Sequence, residues 1–564
     1  MTRLVFSVVP ERRRRLTQRT LPIAGMAAFA LVAGLLVGSL ADSGKEKTAR
    51  AFGSAWQRGD WGRMHGLLTP AAREQWSAAD LRRAYRKAAA TATQTRVIAA
   101  KPAGEREGRI RLPVSVRTRI FGIVRGEVLL PVEDGGVDWA PHLVFPGLDP
   151  GVPLLRRSEP PRRAKIVSRD GQVLAEGPAD ARSSPAGALA GSIAGRVAPQ
   201  ENANGRAALY ARGFPRDWPV GQTGLERAFE QRLAGRPGGE LRAGVRLLGQ
   251  SRPKPGAKVR STIDSRLQSA AATALGDRLG GVAALDAGTG EVRALAGIAF
   301  SAPQPPGSTF KLVTTTAALN ARAVKLSTPF PVQTHATIDG VELENANGES
   351  CGGSFEASFA HSCNSVFAPL GVKVGAEPLV AAARRYGFNA RPSLPGEVPS
   401  TLPAAARIRS DLELGSTAIG QGRVLATPLR MASIAQGIGA RGVWIEPTLE
   451  HGRPPRRHRA TTPHVARTLQ RLMVDVVAYG TGTSAAIPGI KVAGKTGTAE
   501  LEDTRGPNAQ DKQPTDQSNT DAWFTAYAPV GRPRIAVAVL LVKAGAGGET
   551  AAPVARAVIQ AALQ

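Results

Sequence analysis

The stretch Pro305-Pro306-Gly307-Ser308-Thr309-Phe310-Lys311 puts a hydroxyl and an amine three residues apart, where an apolar strand pattern gives way to a helical one. Positions i and i+3 of a helix share a face, so Lys311 is placed to serve Ser308 without help from a distant segment. A serine hydroxyl is a poor nucleophile at its own pKa. An adjacent lysine activates it once desolvation or neighbouring cations keep the amine neutral. Pro306 and Gly307 make a rigid approach, and a helix is expected over Phe310 to Leu319, with backbone N–H groups at its start free to meet negative charge. Alone, a Ser-x-x-Lys recurs by chance in chains of this length and carries little weight.

Working outward, Gly281 to Ala296 reads as two strands joined by a Gly-Thr-Gly turn that feed toward Ser308. Two segments downstream turn the pair into a constellation. Ser362-Cys363-Asn364 supplies a second hydroxyl, able to relay a proton to a leaving amine, and an amide able to hold a substrate carbonyl. Lys495-Thr496-Gly497-Thr498 follows a strand pattern. Lys495 offers a cation for a carboxylate and depresses the pKa of Lys311, while Gly497 lets a substrate backbone approach the strand edge. Ile535 to Val542 reads as a further strand and Ala552 to Leu563 as an apolar helix, so a sheet flanked by helices is expected.

The chain has 564 residues and a formal net charge of +28, which suits three or four domains and a polyanionic surrounding. Zinc-ligand spacing and an aromatic-interleaved strand signature are both missing, and aromatic residues make up only 5%, so a nucleic-acid partner is not expected. Arg12 to Arg15 and Arg19 precede an uncharged, largely apolar run from Leu21 to Leu40, long enough to span a bilayer. The arginines should stay cytoplasmic and the rest of the chain should face outward. A cleaved secretory peptide is the alternative, and it exports the chain as well.

The expected organisation is a cytoplasmic tail (1–20), an anchor (21–41), a small α+β domain (45–148), a strand-rich pedestal or dimerisation-type domain (150–258) and an α+β catalytic domain (259–564). In 45–148, helical spacing over Ala51–Trp61 and Thr69–Ala90 precedes alternating strand patterns from Ile110 and from Val124. Asp170-Gly171 marks a hairpin within 164–175, and Glu500 to Thr520 has the polarity of a loop at the site's rim.

With its Ser-x-x-Lys, Ser-x-Asn and Lys-Thr-Gly set in this order, the chain resembles the penicillin-recognising serine enzymes. The resemblance covers nearly all of residues 45 to 564. Gly420-Gln-Gly, Thr427-Pro-Leu, Gly480-Thr-Gly and Asp521-Ala-Trp-Phe add to it. The 45–148 domain and the Gly-Gln-Thr-Gly-Leu-Glu connector at 221–226 resemble the monofunctional class B transpeptidases, specifically those whose amino-terminal domain is like nuclear transport factor two and the methicillin-resistance type. No Glu-x-x-x-Asn of the class A β-lactamase kind lies between Asn364 and Lys495.

The resemblance implies an antiparallel-sheet transpeptidase domain with Ser308 as the acylated nucleophile, Lys311 its base, and Ser362, Asn364 and Lys495 completing the catalytic set. It implies an oxyanion hole from the backbone N–H groups of Ser308 and Thr498, and substrate binding by Lys495, Thr496, Gly497 and Thr498. The implied reaction cross-links D-Ala-D-Ala stem peptides of peptidoglycan. The implied partners are β-lactams, membrane lipid through the anchor and other wall-synthesis membrane proteins, with no metal and no cofactor. Alternatives are a DD-carboxypeptidase, a β-lactam sensor, or a non-catalytic membrane-tethered scaffold. The Ala296–Ser308 approach is shorter than in many class B enzymes, so one wall of the groove is expected to be reduced. Cys351 and Cys363, the two cysteines of the chain, flank the second motif. A disulfide between them is expected to add roughly 3 kcal/mol, the alternative being two buried thiols.

Overall fold

The computed structural model describes residues 44–187, 193–501 and 519–564. The expected anchor at 21–41 and most of the expected loop at 500–520 lie outside these residues. Among the described residues no single helix is long and apolar enough to cross a membrane. The chain divides into two compact units. One takes in the residues up to Pro161 together with Glu201–Asp217 and Arg236–Lys254; the other takes Arg162–Gln200, Trp218–Gly235 and Pro255–Gln564. The 150–258 stretch is thus shared between both.

In the first unit, helices α1 (Gly44–Arg58), α2 (Trp61–Gly66), α3 (Pro70–Gln75) and α4 (Ala78–Thr91) precede strands β1 (Gln94–Ala99), β2 (Glu105–Arg106), β3 (Arg109–Thr118), β4 (Ile123–Glu133) and β5 (Gly136–Val137). The strands form one sheet in the order β1-β3-β4-β5, with β2 on β3. Each later helix starts at a side-chain cap. Asp60 and Thr69 cap α2 and α3, and Ser77 and Asp80 form a reciprocal capping box at α4. On β3 and β4 alternate residues, Ile110, Leu112, Val114, Val116 and Val124, Val128, Leu130, Val132, are buried against Phe52, Trp56, Leu81 and Tyr85. Four of the seven tryptophans are in this core or packed against it, with Trp139 Nε1 donating to the Tyr85 hydroxyl at 3.3 Å.

The second unit is built on a five-stranded antiparallel sheet. Its strands are β6 (Gly280–Asp286), β7 (Val292–Gly297), β8 (Ala493–Glu500), β9 (Thr520–Ala528) and β10 (Ile535–Leu541), in the order β7-β6-β10-β9-β8. The sheet is covered on both faces, which is why its strands read as nearly unbroken apolar runs. On one face Ala283, Leu285, Trp523, Tyr527, Ala538 and Leu540 join a core with helix α9 (Pro428–Gly439). On the other, Val282, Ala284, Phe524, Val537 and Val539 join Leu267 and Leu275 of α5 (Ser265–Leu275) and Val558 and Ile559 of α11 (Ala551–Leu563). Between β7 and β8 the chain supplies α6 (Lys311–Asn320), α7 (Phe355–Ala360), α8 (Asn364–Val374) and α10 (Pro463–Ala478). The short Ala296–Ser308 approach is pinned by backbone pairing, Gln304 with Ala426 and Phe300 with Val398.

Leu112 is fully buried at the centre of the first sheet. Leu112→Ala should cost about 2–5 kcal/mol. The check is denaturant unfolding followed by tryptophan fluorescence; an unshifted transition would show that this strand is not the core element described.

Candidate active site

Gly307–Phe310 is a turn of 3₁₀ helix that runs directly into α6. Side chains three apart eclipse in a 3₁₀ turn, so Ser308 and Lys311 stand over the same side of the chain. Ser308 is half-buried, and its hydroxyl has no hydrogen-bond partner among the described residues. Lys311 is fully buried.

The second segment gets its position from the way α7 ends. The Cys363 N–H bonds to the Ser358 carbonyl at 3.0 Å and the Ser362 N–H to that of Phe359 at 3.1 Å, the paired bonds of a Schellman motif. That motif puts Ser362 in the left-handed region, φ 63°, where a side chain is uncommon. Cys351, on the strand Cys351–Ser354, is joined to Cys363 by a disulfide with Cα atoms 5.4 Å apart. Asn364 opens α8, and its Nδ2 donates to the Glu344 carbonyl at 2.7 Å, which fixes which way the amide faces.

Lys311 Nζ lies 2.6 Å from the Ser362 carbonyl, 2.7 Å from Asn364 Oδ1 and 3.4 Å from Ser362 Oγ. Lys495 Nζ donates to Ser362 Oγ at 2.8 Å and to the Thr496 carbonyl at 3.0 Å. Ser362 therefore bridges the two amines. Phe367 and Phe359 lie 5.2 and 5.7 Å from Nζ of Lys311 and Lys495, so each amine sits against an apolar ring rather than water. Burial, and after it the charge of Lys495, hold Lys311 well below the ordinary lysine range. Burial pushes Lys495 down to about 7. A neutral Lys311 has two N–H donors and one lone pair. The two short contacts to carbonyl oxygens use both donors and leave the lone pair to take a proton.

Lys495, Thr496, Gly497 and Thr498 occupy β8, where Lys495 pairs with Thr525 and Gly497 with Trp523. The Ser308 turn lies directly against this strand. A Cβ on Gly497 would come within 2.8 Å of the Pro306 carbonyl, and one on Gly307, at φ 50°, within 2.6 Å of that of Thr498. Behind the turn, a Cβ on Gly420 would meet the Gly307 carbonyl at 2.1 Å, and the Gly307 N–H donates to the Gly420 carbonyl at 3.0 Å. The geometry brings all the residues singled out from sequence to one place. It can deliver a nucleophilic hydroxyl, a proton acceptor, a relay hydroxyl and a second cation.

The profile described as "Penicillin binding protein transpeptidase domain" matches residues 280–560. Residues 280–560 belong to the penicillin-binding protein transpeptidase family. The Peptidoglycan D,D-transpeptidase PbpA of Mycobacterium tuberculosis is 38% identical over 297 residues, 47% of this chain and 56% of that protein. The chain thus spans little more than half the length of that relative. The crystal structure of PBPA from the same organism superposes with a TM-score of 0.57 at 29% identity, over 72% of this chain and all of that one. Pseudomonas aeruginosa PBP2 does so with 0.61 at 26% identity, over 72% of this chain and 96% of that one.

Within this transpeptidase domain, sequence reasoning did not assign a task to Thr481. Its Oγ1 lies 2.5 Å from Thr496 Oγ1 and its N–H donates to the Ala360 carbonyl at 3.1 Å, tying β8 to the end of α7. The Gly480-Thr-Gly pattern was the available signal. Among the described residues no group of three or more His, Cys, Asp or Glu side chains is placed to hold a metal ion.

The disulfide closes a loop of 12 residues beside Ser362. Replacing both cysteines by serine should lower stability by about 3 kcal/mol. Urea denaturation under oxidising conditions checks this, and an unchanged midpoint would count against a bracing role.

Proposed function

We infer that the protein is a monofunctional class B peptidoglycan D,D-transpeptidase that acts through a Ser308 acyl-enzyme and is acylated by β-lactams. One observation carries this reading: a single hydrogen-bonded network, Lys311–Ser362–Lys495, joins the three motifs beside an unpartnered Ser308 hydroxyl. Support also comes from PbpA of M. tuberculosis, which is named a peptidoglycan D,D-transpeptidase, and from its penicillin G acyl-enzyme complex, 29% identical with a TM-score of 0.57.

Ser308 Oγ attacks the carbonyl carbon of the penultimate D-Ala, and its proton passes to Lys311 Nζ. The oxyanion is met by the N–H groups of Ser308 and Thr498, each donor being worth about 3–4 kcal/mol where such holes have been probed. The C–N bond breaks and the terminal D-Ala leaves as an amine, its proton relayed by Ser362. An amine of a second stem peptide then attacks the ester, a new C–N bond forms and Ser308 recovers its proton. Lys495 and Thr498 bind the terminal carboxylate, with Thr496 and Gly497 lining the strand edge, and Asn364 holds the substrate amide.

In the same reading, Leu21–Leu40 anchors the chain in the cell membrane with its bulk outside. Residues 45–148 form the domain similar to nuclear transport factor two, 150–258 the pedestal, and other wall-synthesis membrane proteins are partners. The uncharged apolar run behind an arginine cluster supports the anchor, and the four-helix, five-stranded composition of 44–137 supports the domain.

A fluorescent penicillin should label the wild type covalently and leave Ser308→Ala unlabelled. Labelling of the alanine variant would mean that the nucleophile is another residue. Acylation should fall as the pH drops and Lys311 takes up a proton. Lys495→Met removes a like charge that favours neutral Lys311, so the acid limb of the acylation-rate profile should move to higher pH. A limb that stays put or moves to lower pH would exclude Lys311 as the base.

A further inference from the structure

At the end of the sheet where β6 finishes and β10 begins, a cavity of about 380 Å³ is lined by Arg169, Arg266, Arg293, Arg532 and Arg534 against two acids, Asp264 and Asp286. The acids are already committed. Asp264 Oδ1 caps α5 through the Leu267 N–H at 3.1 Å. Asp286 Oδ1 accepts from the N–H groups of Gly288 and Thr289 and from Thr289 Oγ1, at 3.0, 2.9 and 2.9 Å, and its Oδ2 accepts from Arg293 at 2.7 Å. The arginines keep donors in reserve. The Arg293 side chain is only 12% exposed; one of its terminal nitrogens bonds Asp286 and lies 3.2 Å from Glu291, while the other, Nη1, is buried without any partner. Arg266 gives one bond, to the Ala561 carbonyl at 2.7 Å. The guanidinium groups of Arg532 and Arg534 have neither an ion pair nor a hydrogen bond among the described residues.

A buried guanidinium N–H without an acceptor is costly and rare in a finished structure. Four further arginines line the cavity with it, and although Asp286 pairs with Arg293 and Glu291 lies 3.7 Å from Arg169, the five guanidinium groups outnumber these carboxylates and leave the concave site positive. Planar guanidinium forks match the oxygen edges of a phosphate group. We propose that this cavity is a binding site for a phosphate-bearing anion, separate from the Ser308 centre. The match is to the phosphate itself, which a soluble phosphoester and a phospholipid headgroup both carry.

The full-length protein, in detergent, is titrated calorimetrically with inorganic pyrophosphate, glycerol phosphate and dihexanoylphosphatidylglycerol below its micelle concentration. Saturable pyrophosphate binding is expected, weakened at least tenfold in Arg532→Ala/Arg534→Ala and unchanged in Arg73→Ala/Arg82→Ala, which removes the same charge elsewhere. Glycerol phosphate binding as tightly as the lipid identifies a soluble source; tighter lipid binding identifies a headgroup. Absence of saturable binding to any probe, or equal weakening in the two double variants, overturns the proposal. Penicillin labelling of each variant verifies that the transpeptidase domain remains folded.

Discussion

An amine with no exposure to water must either find acceptors or lose its proton, and the site is organised around that constraint at Lys311. Its two short contacts are to oxygens of the Ser362 and Asn364 stretch, so the chain after α7 has to be held in place before the amine can be buried. The Schellman ending of α7, the Cys351–Cys363 bridge and the Glu344 carbonyl on Asn364 each hold it. Lys495 presses from the other side, bonded to the hydroxyl that Lys311 also approaches. A second positive charge makes protonation of the first harder still, so the electrostatics and the packing point the same way.

Much of this was legible in the sequence because it rests on local rules. The strand pair within 281–296, the strand from Ile535 and the helix to Leu563 follow from apolar patterning and turn residues. The motif residues were found because their side-chain chemistry is specific and their order is informative. What stayed hidden depends on contacts distant in sequence. Gly420 and Gly307 are needed because two backbones touch 113 positions apart, and no local period records that. The left-handed backbone at Ser362 is set by how α7 stops, in a segment whose residue types do not demand it. Similarly, the sharing of residues 150–258 between two compact units arises from long-range pairing, such as that of Leu154–Glu159 with Gly238–Ala243.

The two faces of the central sheet illustrate a division of labour. Beneath α5 and α11 it is plain core, and on the other side α9 packs so closely that every residue from Pro428 to Ile438 is buried. This two-sided packing backs β8 where Gly497 closes on the Ser308 turn, a spot at which a Cβ would meet the Pro306 carbonyl at 2.8 Å.

The backbone at Ser362 has one more consequence, and it concerns mutational drift. Left-handed conformations cost most residues roughly 1 kcal/mol or more, a penalty that glycine escapes. A change to glycine there would relieve the backbone while deleting the hydroxyl that connects the two amines. Conformational preference and the hydrogen-bonded link therefore pull this codon in opposite directions, and a screen for thermal tolerance alone would be expected to enrich chains that lack the link between the two amines.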